Sequence, residues 1–324
     1  MNAIEQYGFY DRLSELFPSQ INVDVTEVCN LACVHCPHPE FKQGNVYTGR
    51  MLEPELNRRM VDEVRDHGRG VTGYIRYTAE GEPMAHKQIF EMLKYAVDHS
   101  ETTVSITTNG TLLDEGRLHR LLDTGLHVID ISVDAFEDET YERIRVGGKL
   151  EKVRSNILAL LAAAKQRAVP PKIVVSYVEQ PFNVNETDRF EKFWKAQGVD
   201  FVVIRRLHSC AGFQEERVQE MTDASQSPRR PCLYPWERIV LNPRGFLSFC
   251  PADWTKGATI ADYRKTTIKD VWDGEFMQSL RKAHVENNFK RHALCGGCPD
   301  WEATRWPEQG RSYANMIQEF KDTE

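Results

Sequence analysis

Three cysteines, Cys29, Cys33 and Cys36, stand at a CxxxCxxC spacing directly after the apolar-alternating run Ile21-Asn-Val-Asp-Val-Thr26. Thiolates are soft ligands that select iron–sulfur clusters, zinc or copper(I). A cubane of four irons wants four thiolates, and this loop offers three. A site one ligand short of closure keeps an open coordination position, which separates a catalytic metal from a structural one. The same letters would also serve a zinc knuckle or three buried thiols.

A second set lies far along the chain: Cys232, Cys250, and then Cys295-Gly-Gly-Cys298. A wide pair followed by a CxxC makes a closed four-thiolate site, suited to a structural zinc or to an auxiliary iron–sulfur cluster. Cys210 belongs to neither set and sits in Arg205-Arg-Leu-His-Ser-Cys210-Ala-Gly. A thiol there could give a hydrogen atom to a substrate radical. It could equally be a small buried hydrophobe, since free cysteine is among the most buried residue types. His208, Arg205 and Arg206 are candidates for the same pocket or for a solvated rim.

Composition narrows the setting. The start, Met1-Asn-Ala-Ile-Glu-Gln-Tyr7, has no basic n-region and no apolar h-region, so no signal peptide is expected. Eight cysteines in such a chain point to metal or redox chemistry rather than disulfides, and to a cytoplasmic protein. The net charge of −7 argues against a non-specific nucleic-acid binder, which needs a basic face. No apolar run reaches the roughly eighteen residues of a membrane span. With 324 residues, 41% hydrophobic and 27% charged, the chain can bury a full globular core.

The elements that must position these residues alternate. Strands are expected at 21–26, 73–78, 103–107, 127–133, 172–178 and 200–205. Helices are expected at about 53–67, 86–99, 114–124, 149–167 and 185–197. Strands alternating with helices imply parallel pairing with helices outside, and six such units fit an α/β fold with a partial (β/α)6 barrel. Residues 1–20 read as a helical lead-in, 21–212 as the barrel, 213–230 as a polar linker and 231–324 as a small C-terminal domain. That last domain is expected to hold a hairpin turning at Asn242-Pro-Arg-Gly245 and a helix over 268–283. In such barrels the chemistry collects after the C-terminal strand ends. The loops there are Thr78-Ala-Glu-Gly-Glu-Pro83, Thr107-Thr-Asn-Gly110 and Ile131-Ser-Val-Asp134, the last followed by Tyr141-Glu-Arg-Ile-Arg145.

The CxxxCxxC motif resembles the signature of radical S-adenosylmethionine (radical SAM) enzymes, and the later loops extend the resemblance. It implies a six-unit barrel, a 4Fe–4S cluster on Cys29, Cys33 and Cys36, and S-adenosyl-L-methionine on its open iron. Gly81, Glu82 and Pro83 match the family's Gly-Gly-Glu-Pro loop, with Glu80 in place of the first glycine. The resemblance implies that Glu82 and its neighbouring carbonyls meet the methionine ammonium, a charge-assisted pairing. It puts Thr108 and Asn109 near the ribose. It puts Ser132 and an arginine near the methionine carboxylate, which a guanidinium fork suits, and counts Asp134 of the same Ser-x-Asp segment among the cofactor-binding residues. Arg145, ahead of a glycine pair, is the first choice and Arg143 the second. His35 occupies a position where the family often stacks an aromatic on adenine.

Gly245-x4-Cys250 and Cys295-x2-Cys298 are similar to the SPASM/twitch C-terminal domains of the same family. Cysteines for a second auxiliary cluster are missing after Cys298, which fits the shorter twitch form with one auxiliary 4Fe–4S cluster on Cys232, Cys250, Cys295 and Cys298. The layout is similar to that of twitch dehydrogenases of aminocyclitols and of radical SAM epimerases that use a cysteine such as Cys210 as hydrogen donor. The implied activity is hydrogen abstraction from a small sugar- or aminocyclitol-like substrate, giving oxidation or epimerisation in natural-product biosynthesis. A flavodoxin- or ferredoxin-type reductant would supply the electron. A ribosomally made peptide is the alternative substrate. About twenty residues before the first strand are too few for a leader-binding domain, which favours the small molecule. A zinc-binding interaction module is the rival outside enzymology.

Overall fold

The computed structural model describes residues 14–78, 80–214, 229–302 and 304. Its frame is one nine-stranded sheet in the order β6-β5-β4-β3-β2-β1-β7-β8-β9. The first six strands are β1 (Gln20–Asp24), β2 (Tyr74–Thr78), β3 (Thr103–Thr108), β4 (Val128–Ser132), β5 (Lys172–Glu179) and β6 (Phe201–Arg206). Each pairs in parallel with the next. Consecutive parallel strands with right-handed crossovers carry all their helices on one face. The helices are Pro54–His67, Ile89–His99, Glu115–Asp123, Leu150–Ala164 and Thr187–Gln197.

The strand pattern divides the two faces. Ile21, Val23, Ile75, Tyr77, Ile106, Ile129, Ile131, Ile173 and Val175 join the main core under the helices. Side chains alternate along a strand, so Asp24, Arg76, Thr107, Asp130, Ser176 and Arg205 fall on the opposite, helix-free face. A small apolar group, Tyr74, Val128 and Val174 packed with Phe201 and Val203, lies on that face too, low on the strands. The polar residues therefore cluster toward the C-terminal strand ends, where barrels do their chemistry.

The C-terminal part extends the same sheet. β7 (Arg238–Leu241) pairs in parallel with β1, placing Ile21 opposite Ile239 and Val23 opposite Leu241. β8 (Phe246–Ser248) returns antiparallel through the expected turn, and β9 (Thr259–Asp262) adds a third strand with a bulge at Leu247/Ser248. β1 is thus paired on both sides, and the cysteine loop leaves a strand fixed between the barrel and the C-terminal hairpin.

Local signals explain most boundaries. Pro54 opens its helix and Gly68 closes it, the Gly68 amide donating to the Val64 carbonyl at 2.7 Å. The Asp114 side chain caps the helix that follows β3, accepting from the Arg117 amide. Some expectations are corrected. The helix over 268–283 is two, Ile268–Asp273 and Glu275–Val285, because extended Gly274 separates them. A Cβ at Gly274 would stand 2.8 Å from the Asp270 carbonyl, so the break needs glycine. The helix Asp138–Ile144 and strand β9 were not expected. Residues 1–13 of the helical lead-in and 215–228 of the linker lie outside the described residues, and 14–19 are not helical. Among the described residues, no helix is long and apolar enough to cross a membrane.

Candidate metal and cofactor site

The cysteine loop is built by its neighbours. The Ala32 amide donates to the Val146 carbonyl at 2.9 Å and the Val34 amide to Ile144 at 3.0 Å, laying the loop against the end of helix Asp138–Ile144. The Cys36 amide closes a turn onto the Cys33 carbonyl at 3.1 Å. Upstream, fully buried Glu27 accepts from the Thr48 amide at 2.8 Å and the Arg50 amide at 3.1 Å. Arg244 of the C-terminal hairpin donates to the same carboxylate at 2.6 Å. Burial opposes its charge, but these donors hold Glu27 below the usual carboxylate range.

The loop after β2 runs beside the cysteines. The Gly81 amide donates to the Thr26 carbonyl at 3.0 Å and the Glu82 amide to Val28 at 2.8 Å. A Cβ on Gly81 would sit 2.1 Å from the Val28 carbonyl oxygen, so glycine is required by close approach. Glu80, the departure from the family loop, forms an ion pair with Lys256 of the C-terminal domain. The extra side chain is a tie between domains.

Glu82 is buried and satisfied by protein donors: Thr108 Oγ1 at 2.6 Å, the Asn109 amide at 2.8 Å and the Met84 amide at 3.0 Å. Burial raises its pKa against those hydrogen bonds. Asn109 donates to Asn30 Oδ1 at 3.0 Å, and Asn30 donates to Thr111 at 2.8 Å. The Thr-Asn-Gly turn is thereby stitched to the cysteine loop.

Asp134 is the hub of the third loop. It is fully buried with a left-handed φ of 65°, a conformation that Asp tolerates better than most residues. Its carboxylate pairs with Arg145, accepts from the Val178 amide at 2.7 Å and lies 3.5 Å from His35 Nε2. Arg145 donates from Nη1 to Cys33 Sγ at 3.6 Å. Burial works against the guanidinium, but Asp134 outweighs it and raises the Arg145 pKa. Arg143 instead stacks on Phe182 at 3.8 Å, away from the cysteines. Ser132 stands on the helix-free face with its hydroxyl 3.4 Å from Ser176.

The three loop thiols are free of disulfides. Burial pushes Cys29 up to about 11 and Cys36 up to about 12, and neighbouring thiols add to both. Several buried thiols that disfavour one another's ionisation are what a cationic iron–sulfur centre reverses, since a coordinating thiol is deprotonated outright. The donor set fits a cluster.

The second set also assembles. Cys232, Cys250, Cys295 and Cys298 line one pocket with Ala211 and Trp301. Burial raises Cys250 well above its ordinary value, and the other three thiols raise it further. Cys210 is buried beside this pocket, just past β6, with a left-handed φ of 54°. Asp300, two residues beyond Cys298, accepts from the Ser209 amide and the Ala211 amide at 2.7 Å each and from Ser209 Oγ at 2.8 Å. Arg205 reaches the other way, to Asp130 at 2.5 Å. Sequence reading missed Glu27, Asn30, Asp300 and, on the helix-free face, Asp24, Arg76 and Asp130. Asp24 and Asp130, polar letters inside apolar strands, were the visible signal.

Comparison with known proteins agrees with this geometry. Residues 23–181 match the radical SAM superfamily, and residues 232–299 match the SPASM iron–sulfur cluster-binding domain. A probable GTP 3′,8-cyclase of Methanococcus maripaludis is 30% identical over 135 residues, 42% of this chain and 43% of that one. The chain thus matches less than half the length of that relative. The PqqA peptide cyclase of Granulibacter bethesdensis is 25% identical over 291 residues, 79% of this chain and 74% of that one. Among solved structures, Streptococcus suis SuiB bound to precursor peptide SuiA superposes with a TM-score of 0.66 at 13% identity, covering 97% of this chain and 75% of that one. BtrN in complex with AdoMet and 2-DOIA gives 0.56 at 18% identity, covering 87% and 92%. The SPASM match decides the second site for iron–sulfur over structural zinc, and the fold likeness extends across both parts. With an open three-cysteine loop on a parallel barrel and a four-cysteine site behind it, the chain belongs to the radical SAM superfamily as an enzyme with a C-terminal SPASM domain.

Proposed function

We propose that this enzyme abstracts a hydrogen atom from a carbon of a small polar, sugar- or aminocyclitol-like molecule, leading to oxidation or epimerisation. One observation carries the reading. The helix-free sheet face beside the cysteine loop is lined by Asp24, Arg76, Thr107, Asp130, Ser176 and Arg205. Such a face suits a polyol and offers little to an apolar side chain.

Cys29, Cys33 and Cys36 would hold the 4Fe–4S cluster, and Cys232, Cys250, Cys295 and Cys298 one auxiliary cluster. When bound, the first cluster and S-adenosyl-L-methionine supply the 5′-deoxyadenosyl radical that abstracts hydrogen. Gly81 and Glu82 would border the methionine ammonium, Thr108 and Asn109 the ribose, and Ser132 and Arg145 the carboxylate, with Asp134 holding Arg145 in place. The buried Arg145–Asp134 pair keeps the cysteine loop in one geometry. Cys210 is the candidate hydrogen donor, and its donation to the face opposite abstraction gives an epimer. Without that donation the substrate radical would lose a proton and give up its electron to the auxiliary cluster, leaving a ketone or imine. The reductant is a flavodoxin- or ferredoxin-type protein.

A peptide substrate is the second reading, favoured by the long match to the PqqA peptide cyclase. Anaerobic reconstitution tests the whole. The reading expects about eight irons per chain, two clusters of four, and polyol-stimulated release of 5′-deoxyadenosine under dithionite. With Cys210→Ala, an epimerase loses inverted product while a dehydrogenase keeps turning over. Stimulation by peptides and by no polyol would overturn the small-molecule reading, and colourless zinc-loaded protein would overturn the chemistry.

A further inference from the structure

The carboxylates around the cysteine loop are paired or hydrogen-bonded, Glu80 through one oxygen alone, and only Asp24 has neither oxygen engaged among the described residues. Asp130 pairs with Arg205 at 2.5 Å and Arg76 at 3.6 Å and accepts from Ser176 at 2.7 Å. Glu80 pairs with Lys256, and Asp134 with Arg145. Glu82 accepts three hydrogen bonds. Asp24, at the end of β1, is 7% exposed, and among the described residues no hydrogen bond reaches its side chain. Val23 beside it points into the helix-covered core, so Asp24 faces the helix-free side. Below it Gln20 donates to Asn22 and accepts from the Tyr74 hydroxyl.

A buried, unpaired carboxyl is costly to a fold. The nearest cations do not relieve it. Lys256 is held by Glu80, and Arg76 donates to Thr107 at 3.0 Å and faces Asp130. Glu80 adds repulsion. Burial and Glu80 together push the Asp24 pKa up to about 8, against Lys256 and Arg76. The protein has left both oxygens of Asp24 open at the C-terminal end of the strand, five residues before Cys29.

We propose that Asp24 is the substrate-recognising carboxylate and that it takes the protonated amine of an amino sugar or aminocyclitol. The proposal rests on the small-molecule reading above and narrows it to amine-bearing substrates. An ammonium supplies both the charge and the donors that Asp24 lacks, in a charge-assisted pair. It also offsets the repulsion from Glu80. A neutral hydroxyl would bond the protonated carboxyl but give its ionised form no counter-charge.

The test uses reconstituted enzyme with S-adenosyl-L-methionine bound, probed by calorimetry with glucosamine against glucose and streptamine against scyllo-inositol. The amine of each pair is expected to bind about ten-fold tighter or more. Asp24→Asn should remove that preference while leaving S-adenosyl-L-methionine affinity unchanged. In the unmutated enzyme near pH 7, titration in buffers of different ionisation enthalpy should show proton release with the amines and none with the neutral polyols. This measurement stands even if the variant folds poorly. If the polyols bind with no amine preference, if the preference survives in Asp24→Asn, or if no proton is released, the assignment of Asp24 falls and the small-molecule reading stands. If none of the four probes binds, the small-molecule reading falls and takes the assignment with it.

Discussion

Arg145 Nη1 lies 3.6 Å from Cys33 Sγ while its Nη2 is paired with Asp134. One guanidinium therefore connects the strand-four loop to the middle cysteine of the three. Both members of the ion pair are buried, so removing one leaves the other charge uncompensated, at a cost of about 3–5 kcal/mol. Arg145→Met is expected to lower the thermal midpoint and to leave the first cluster poorly loaded. Arg145→Lys keeps the charge but loses the fork, and should fall between. A Met variant with unchanged melting and iron content would show that the pair does not brace the loop.

Gly81 leads to a second prediction. Its Cβ position is occupied by the Val28 carbonyl at 2.1 Å, which is backbone of the cysteine loop and cannot swing aside. Gly81→Ala must push that loop outward. Overpacking of this kind costs about 1–3 kcal/mol, and the displacement falls on the ligand-bearing segment. Iron per chain after reconstitution should drop while the auxiliary site, built from other elements, remains filled. Electron paramagnetic resonance of the reduced protein separates the two. Equal loss of both signals would point to global unfolding instead.

The sequence was most legible where chemistry and local signals coincide. Cys29, Cys33 and Cys36 stood out through their spacing, and the six strands through short β-branched runs between helices. Asp114 and Gly68 marked helix ends because capping is a local interaction. Less was legible where tertiary partners decide. The pairing of β7 with β1 joins strands more than two hundred residues apart, and no local signal carries it. Strand β9 owes its existence to β8 beside it. The roles of Glu27 and Asp300 are set by amides and guanidinium groups brought from elsewhere in the chain. Glu80 looked like a flaw in the Gly-Glu-Pro loop, and the ion pair with Lys256 that explains it lies in the other domain.

Asp24 supports a prediction about stability that is separate from substrate. A carboxyl whose folded pKa, about 8, stands above its unfolded value of about 3.9 favours the fold only while protonated. Its contribution is full below the unfolded value and is lost as the pH rises toward the folded one. Asp24→Asn removes the penalty. The melting temperature of the variant relative to the unmutated enzyme should therefore rise between pH 5 and pH 9, by roughly 2 °C or more. A difference that stays flat across that range would mean that Asp24 ionises freely in the fold.

Asp300 fastens the Cys210 turn from outside. Its carboxylate accepts from the Ser209 amide, the Ser209 hydroxyl and the Ala211 amide, and Cys210 lies between those two residues in a left-handed conformation. A non-glycine residue held at positive φ persists when its surroundings over-determine it, and here one side chain supplies three of the constraints. Hydrogen bonds to a charged acceptor are worth about 1.5–3 kcal/mol each. Asp300→Ala should therefore loosen the turn without unfolding the barrel. The Ser209 and Ala211 amides are expected to exchange with deuterium at least ten-fold faster, and buried Cys210 should become reactive toward a thiol reagent. Asp300→Asn keeps one acceptor oxygen and should give an intermediate rate. If Cys210 is the hydrogen donor, the same variant turns over with a lower share of inverted product. Unchanged exchange at both amides would mean that the turn is held by the chain itself and that Asp300 merely rests against it.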